Sequence, residues 1–139
     1  MKFYAVVAVV ASLLIGGVAQ AQDAEIIAEA EAAAEQWLTL TDSADYAASW
    51  EQAAGLFQAA VSKEDWAKAI QAARAPLGAV KSRKLKSAQF TKSLPGAPDG
   101  EYVVVQFETQ FENKASALET VTPLKDKDGS WRVSGYYIK

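Results

Sequence analysis

The apolar residues of the chain recur at helical spacing in its first half and alternate with polar residues in its second half. In residues 24–40 they return every three or four positions, which predicts an amphipathic helix. Residues 46–61 repeat this spacing after Asp42 or Ser43, either of which can cap a helix start. Residues 62–77 predict a third helix, so three helices are expected before the period changes.

Beyond this helical part, alternation of apolar and polar residues predicts four β-strands. Short turn-rich segments separate them, including "LPGAPDG" and "DKDG", so consecutive strands are expected to pair as hairpins. The predicted fold class is α+β: three N-terminal helices packed on a four-stranded, curved antiparallel β-meander. The predicted strands lie within residues 80–90, 101–111, 115–124 and 130–139.

The first 21 residues resemble a secretory signal peptide. Lys2 precedes an apolar run over residues 3–18, and Ala19-Gln20-Ala21 fits the small-residue pattern of a cleavage site. We therefore predict cleavage between Ala21 and Gln22, a periplasmic or secreted location, and one globular domain over residues 22–139. An uncleaved anchor is the alternative, but the run is shorter than the ~20 residues that span a bilayer, so no stable membrane span is expected after cleavage.

Composition limits the chemistry that this chain can perform. It contains no histidine and no cysteine, which excludes disulfides, Ser-His-Asp triads and zinc sites built from those residues. The net charge of −3 argues against nucleic acid as a partner. We predict no cofactor. We also predict no metal, because "DKDGS" resembles the start of a calcium loop but lacks the glycine and the glutamate that such a loop has at later positions.

Tryptophans mark the apolar stripes of the predicted helices. Trp50 and Trp66 lie on the second and third of these stripes. They would either line an apolar ligand pocket or belong to an ordinary core, since each aromatic side chain can bury about 150–250 Å².

Two arginines are predicted to point toward the apolar layer. Arg74 follows the apolar face of the third helix, and Arg83 alternates with Leu85 on the strand face opposite the lysines. Buried arginines require acceptors, and Glu119, whose strand neighbours on its face are apolar, is the best candidate. The three residues form either a structural ion pair or a polar ligand site.

Four segments carry a family resemblance: "DYAASWEQAAGLF", "RAPLGAVKSRKL", "LPGAPDGEYVVVQFETQFENK" and "ALETVTPLKDKDGSWRVSGYYIK". From about Trp37 to Lys139 the chain resembles the bacterial family catalogued as domain of unknown function 4019. The resemblance implies export, and it implies no catalytic or ligand-binding residue, because none is established for that family. The order of elements more loosely resembles the cystatin-like and nuclear-transport-factor-2-like folds.

Three functional hypotheses follow. The first is a non-catalytic periplasmic binding or interaction domain, with a small molecule or a protein as its partner. A ligand would lie between sheet and helices, against Phe107, Leu85 and the tryptophans, with the two arginines and Glu119 as polar contacts. The alternatives are a small-pocket enzyme of lyase or isomerase type, using tyrosine and a carboxylate, and a structural homodimer formed through the polar sheet face at Tyr102, Val104 and Gln106.

Overall fold

The computed structural model describes residues 15–139, with side chains from residue 21 onward. Residues 1–14 of the predicted signal peptide therefore lie outside the described residues. Four helices precede a sheet of four strands. They are α1 (Ile15–Asp42), α2 (Tyr46–Glu51), α3 (Gly55–Ala60), α4 (Lys63–Arg74), a 3₁₀ turn (Ala75–Leu77), β1 (Val80–Thr91), β2 (Tyr102–Phe111), β3 (Lys114–Lys125) and β4 (Trp131–Ile138).

The sheet has the order β1-β2-β3-β4, and every neighbouring pair is antiparallel. The predicted α+β class and the four-stranded antiparallel meander are therefore confirmed. On β2 the burial alternates along most of the strand, as expected for a strand with one face against the helices and one face toward water. We call this second face the outer face.

The number of helices differs from the prediction, because the second predicted helix is two short helices. After Glu51 the chain leaves the helix, and the Ala54 N–H donates to the Val133 carbonyl of β4 at 2.8 Å. The Gly55 N–H then donates to Asp126 in the turn between β3 and β4 at 3.0 Å. These bonds to the last hairpin replace helical bonds, so α2 and α3 meet at a break that the apolar spacing does not reveal.

The start of α4 agrees with the sequence prediction. The Ser62 hydroxyl accepts a hydrogen bond from the Asp65 N–H at 3.1 Å, as an N-cap residue does. The helix ends through a 3₁₀ turn and Gly78, whose φ of +75° is one that glycine adopts without strain.

The space between the helices and the sheet is filled by side chains. Phe57 and Trp66 meet edge to face with ring centroids 4.8 Å apart, and Trp37 lies 6.0 Å from Trp66. Phe107 of β2 is only 1% exposed in the same core. The volume that the ligand hypothesis assigned to a pocket is therefore occupied by the core itself.

The loop between β1 and β2 folds back onto the start of β2. The Tyr102 hydroxyl donates to the Pro98 carbonyl at 2.6 Å, and Tyr102 is 1% exposed. The sequence placed Tyr102 on the wet face of the sheet, which is wrong because this loop covers it. Tyr102 is thus unavailable to the outer-face dimer considered above.

Helix α1 joins the core only after its first turns. Residues 21–25 are exposed, Ile26 and Ile27 are partly buried against the core, and Ala30 is fully buried. Over residues 15–139 we find no helix with both the length and the apolar character needed to cross a membrane.

Candidate functional site

Glu119 is the centre of a largely buried ionic cluster. Its side chain has no exposed surface and accepts a hydrogen bond from Arg83 Nε at 2.8 Å. The hydroxyls of Thr109 and Tyr136 also donate to its carboxylate. The pairing of Arg83 with Glu119 that the sequence predicted is thus confirmed.

Asp42 joins both arginines to the end of α1. Its carboxylate accepts from the two terminal nitrogens of Arg83 at 2.7 and 2.9 Å, and from Arg74 Nη2 at 2.8 Å. Arg74 also donates to the Thr41 hydroxyl at 3.1 Å. The sequence offered Asp42 or Ser43 as the cap of the second helix, but α1 extends to Asp42 and the N-cap of α2 is Asp45. The contacts of Asp42 were missed because its arginine partners lie 32 and 41 positions away in the chain.

We define the ionic cluster as Asp42, Arg74, Arg83, Glu119 and Tyr136. Burial raises the pKa of Asp42, but hydrogen bonds and charges from Arg83 and Arg74 together lower it by more. The net shift of the Asp42 pKa is therefore downward. Burial favours neutral Arg83, yet its bonds to both carboxylates raise its pKa. Burial and then the charge of Glu119 raise the pKa of Tyr136, which keeps its proton. In the cluster two arginines form ion pairs with two carboxylates, so their formal charges balance.

The cluster connects several elements of the fold. Arg74 lies at the end of α4, and its guanidinium lies 5.0 Å from the centroid of the Phe111 ring. Asp42 ends α1, while Arg83, Glu119 and Tyr136 belong to β1, β3 and β4. Its polar side chains bond mainly to one another, so the arrangement fastens the helices to the sheet.

The two tryptophans proposed as ligand contacts are separate from this polar set. Trp66 is buried and donates from its indole nitrogen to the Ser49 hydroxyl at 2.9 Å. Trp50 is half-buried and donates to the Val61 carbonyl at 2.9 Å. Both indole nitrogens are thus engaged within the helical layer. Leu85, expected in the apolar wall, is 40% exposed and lies outside the core.

A groove of about 530 Å³ lies on the outer face. We call it the lysine groove, because three of its side chains are lysines and Glu108 is its one acidic side chain. Its lining residues are Ser82, Lys84, Lys86, Glu108, Thr109, Gln110, Ala115, Ser116, Ala117, Leu118 and Lys139. The sequence did not predict it, since it depends on which outer residues face each other across the strands.

A second groove of about 280 Å³ runs between α4 and the edge of β4. We call it the edge groove, and it is lined by Trp66, Ala69, Ile70, Ala73, Tyr136, Tyr137 and Ile138. All of these side chains are apolar or aromatic. Trp66 is the one sequence-predicted site residue in this groove.

Comparisons with known proteins reveal one relationship. No curated protein and no solved structure matches the chain. A family model described as "Protein of unknown function (DUF4019)" matches residues 33–136. The match covers most of the helical layer and the whole sheet except the end of β4. The chain therefore belongs to the DUF4019 family of proteins of unknown function.

Proposed function

We propose that this protein is an exported, non-catalytic binding domain that holds an anionic ligand in the lysine groove. The observation that carries the proposal is an excess of positive charge in a groove of an acidic protein. Three lysines and one glutamate line the groove, although the whole chain has a net charge of −3. A surface of one predominant sign attracts ligands of the opposite sign.

The strand register places these charges across the sheet. Lys84 lies opposite Glu108, Glu108 lies opposite Leu118, and Leu118 exchanges backbone hydrogen bonds with Lys139. Lys86 adds a third cation at a bulge of β1. Lys84 and Lys86 therefore lie on one side of the groove and Lys139 on the other, with Glu108 and Leu118 between them. Carboxylate or phosphate oxygens would meet the lysines of one side, and a ligand that extends across the strands would meet both sides.

The ionic cluster favours binding over catalysis. A catalytic tyrosine or carboxylate needs a cavity in which it can reach a substrate. Tyr136 lines the edge groove, but its hydroxyl donates to Glu119. Glu119 also accepts from Arg83 and Thr109 and has no exposed side-chain surface. The lyase or isomerase alternative therefore has less support than a structural role for the cluster.

Binding can be tested by an NMR titration of the protein with inorganic phosphate and, separately, with a glutamate oligopeptide. We expect saturable shifts of backbone amides in the lysine groove with at least one probe, because the groove lysines attract the oxygens of the probe. The Lys84→Gln/Lys86→Gln variant should lose most of this binding. Affinity for the peptide alone would indicate an acidic protein partner, and affinity for phosphate alone a phosphorylated small molecule.

The matched control is Lys68→Gln/Lys127→Gln, which removes the same charge at exposed positions outside the groove. This variant should bind nearly as the parent does. Equal weakening in both double variants would show a general charge effect, and an absence of shifts with both probes would refute the proposed site.

Export is the second part of the proposal, and the packing of α1 supports it. Cleavage after Ala21 would leave Ile26 and all later core residues in place. We expect the protein expressed with its leader in a Gram-negative host to appear in the periplasmic fraction with Gln22 at its N-terminus, as read by intact mass. A full-length product retained in the cytoplasm or membrane would contradict export.

A further inference from the structure

The two edges of the sheet differ in how well they are protected against pairing with another strand. β1 carries Lys81, Lys84 and Lys86 and has two irregularities in its register, and both features discourage pairing at an edge. β4 is regular over its last residues, from Gly135 to Ile138, and that segment carries no charge. Residues 135–138 thus lack the protective features of β1, and Lys139, which continues the ladder, is the first charged residue after them.

The backbone of this segment is oriented for pairing. Leu118 and Lys139 exchange both of their backbone hydrogen bonds, at 2.9 and 3.0 Å. In an antiparallel ladder such pairs alternate with pairs that exchange none. Tyr136 and Ile138, opposite Val121 and Glu119, are in the second class, so their N–H and C=O groups point away from β3.

Further back along the strand, the edge is already covered. The Val133 carbonyl accepts the hydrogen bond from Ala54 just before α3. The open part of the edge is therefore confined to the end of β4, beside the edge groove. Tyr137, between the two outward-facing residues, is 58% exposed, more than Leu85, the other large exposed apolar side chain of the described residues.

We propose that the end of β4 pairs antiparallel with the end of β4 in a second copy of this chain. Tyr137 lies on the two-fold axis opposite the second copy's Tyr137, and Tyr136 faces the second copy's Ile138. This register satisfies the outward N–H and C=O groups of both residues in both copies. The two sheets then form one eight-stranded sheet.

The groove favours a second copy as the occupant. Tyr136 and Ile138 share one face of β4 and line the edge groove with Trp66 and Ile70. In the proposed register the second copy's Ile138 lies beside Tyr136 and adds an apolar side chain to this groove. The pairing segment is uncharged, so the two copies meet without like-charge repulsion, and a two-fold interface is self-complementary in this way.

A disulfide-trapping experiment tests the register. The chain has no cysteine, so Tyr137→Cys creates a protein with a single thiol. Residues facing each other in a pair without hydrogen bonds have Cα atoms about 4.5 Å apart, which is within the range of a disulfide. We expect mild oxidation to convert Tyr137→Cys into a covalent dimer. Leu85→Cys, at the other exposed apolar position, should stay largely monomeric.

Sedimentation analysis of the parent protein, which has no cysteine, tests whether two copies associate without a covalent link. We expect the mass to double with rising concentration. Tyr137→Lys should remain monomeric, because it places two like charges opposite each other, and Ile138→Pro should weaken the dimer by removing an outward N–H. Both variants should keep the parent circular-dichroism spectrum, since neither change affects a bond to β3.

Three results would overturn the proposal. One is a monomeric mass at the highest protein concentration reached. Binding of a small apolar molecule in the edge groove of such a monomer would count as the same result. Another is equal crosslinking of Tyr137→Cys and Leu85→Cys. The third is a dimer that persists unchanged in both Tyr137→Lys and Ile138→Pro, which would place the interface elsewhere.

Discussion

Glu119→Ala is expected to lower the free energy of unfolding by about 3–5 kcal/mol, the usual effect of removing one partner of a buried ion pair. Glu119 has no exposed side-chain surface and accepts hydrogen bonds from Arg83, Thr109 and Tyr136. Alanine would leave these donors facing a small cavity, and buried donors without acceptors are costly. Chemical denaturation followed by fluorescence would measure the change.

Glu108→Ala is the matched control for this experiment. Glu108 is an exposed glutamate on the same sheet, and within the described residues it forms no ion pair. We expect its replacement to change stability by no more than about 0.5 kcal/mol. A similarly small effect of Glu119→Ala would contradict a structural role for the cluster and would return Glu119 to the candidates for ligand binding.

The sheet could be predicted from the sequence because its signal is local. Each strand alternates apolar and polar residues, and each connection contains residues that favour turns, such as Gly129 with its φ of +82°. Hairpins between neighbouring strands leave one simple order, which the structure has. No long-range information was needed.

The helical break and the covered tyrosine could not be predicted in this way, because long-range contacts determine them. The end of α2 is set by the bond from Ala54 to Val133, 79 positions later in the chain. The burial of Tyr102 depends on a loop that folds back onto the strand. Alternation and helical spacing depend only on residues that are close in sequence. Neither of these two long-range contacts can therefore be predicted from them.

Part of the ionic cluster was visible in the sequence for an energetic reason. An arginine that faces an apolar layer requires an acceptor, and this requirement pointed from Arg83 to Glu119. Nothing comparable pointed to Asp42, which is polar at a helix end, where polar residues are common. Leu85 lies opposite buried Phe107, as the alternation implied, but it belongs to the edge strand β1 and stays 40% exposed, because alternation assigns a face of the sheet and not the depth of burial.

Phe107→Ala should also lower the free energy of unfolding by about 3–5 kcal/mol, the range for truncating a buried aromatic residue. Phe107 is 1% exposed, and the helical layer packs over its face of β2. In a filled core the truncation leaves a cavity, whereas beside a solvent-filled pocket it would only enlarge existing space and cost less. Denaturation curves of both proteins give the difference.

Val104→Ala provides the comparison on the same strand, since Val104 lies on the outer face and is half-buried. Truncation of Val104 should lower the free energy of unfolding by clearly less than truncation of Phe107, because water replaces the missing methyl groups and no cavity forms. Equal effects at both positions would mean that the space under the helices is not close-packed, and an internal ligand pocket would again be the better explanation. A large difference would exclude the core as a ligand site and would direct the search for partners to the surface, where the lysine groove and the edge groove lie.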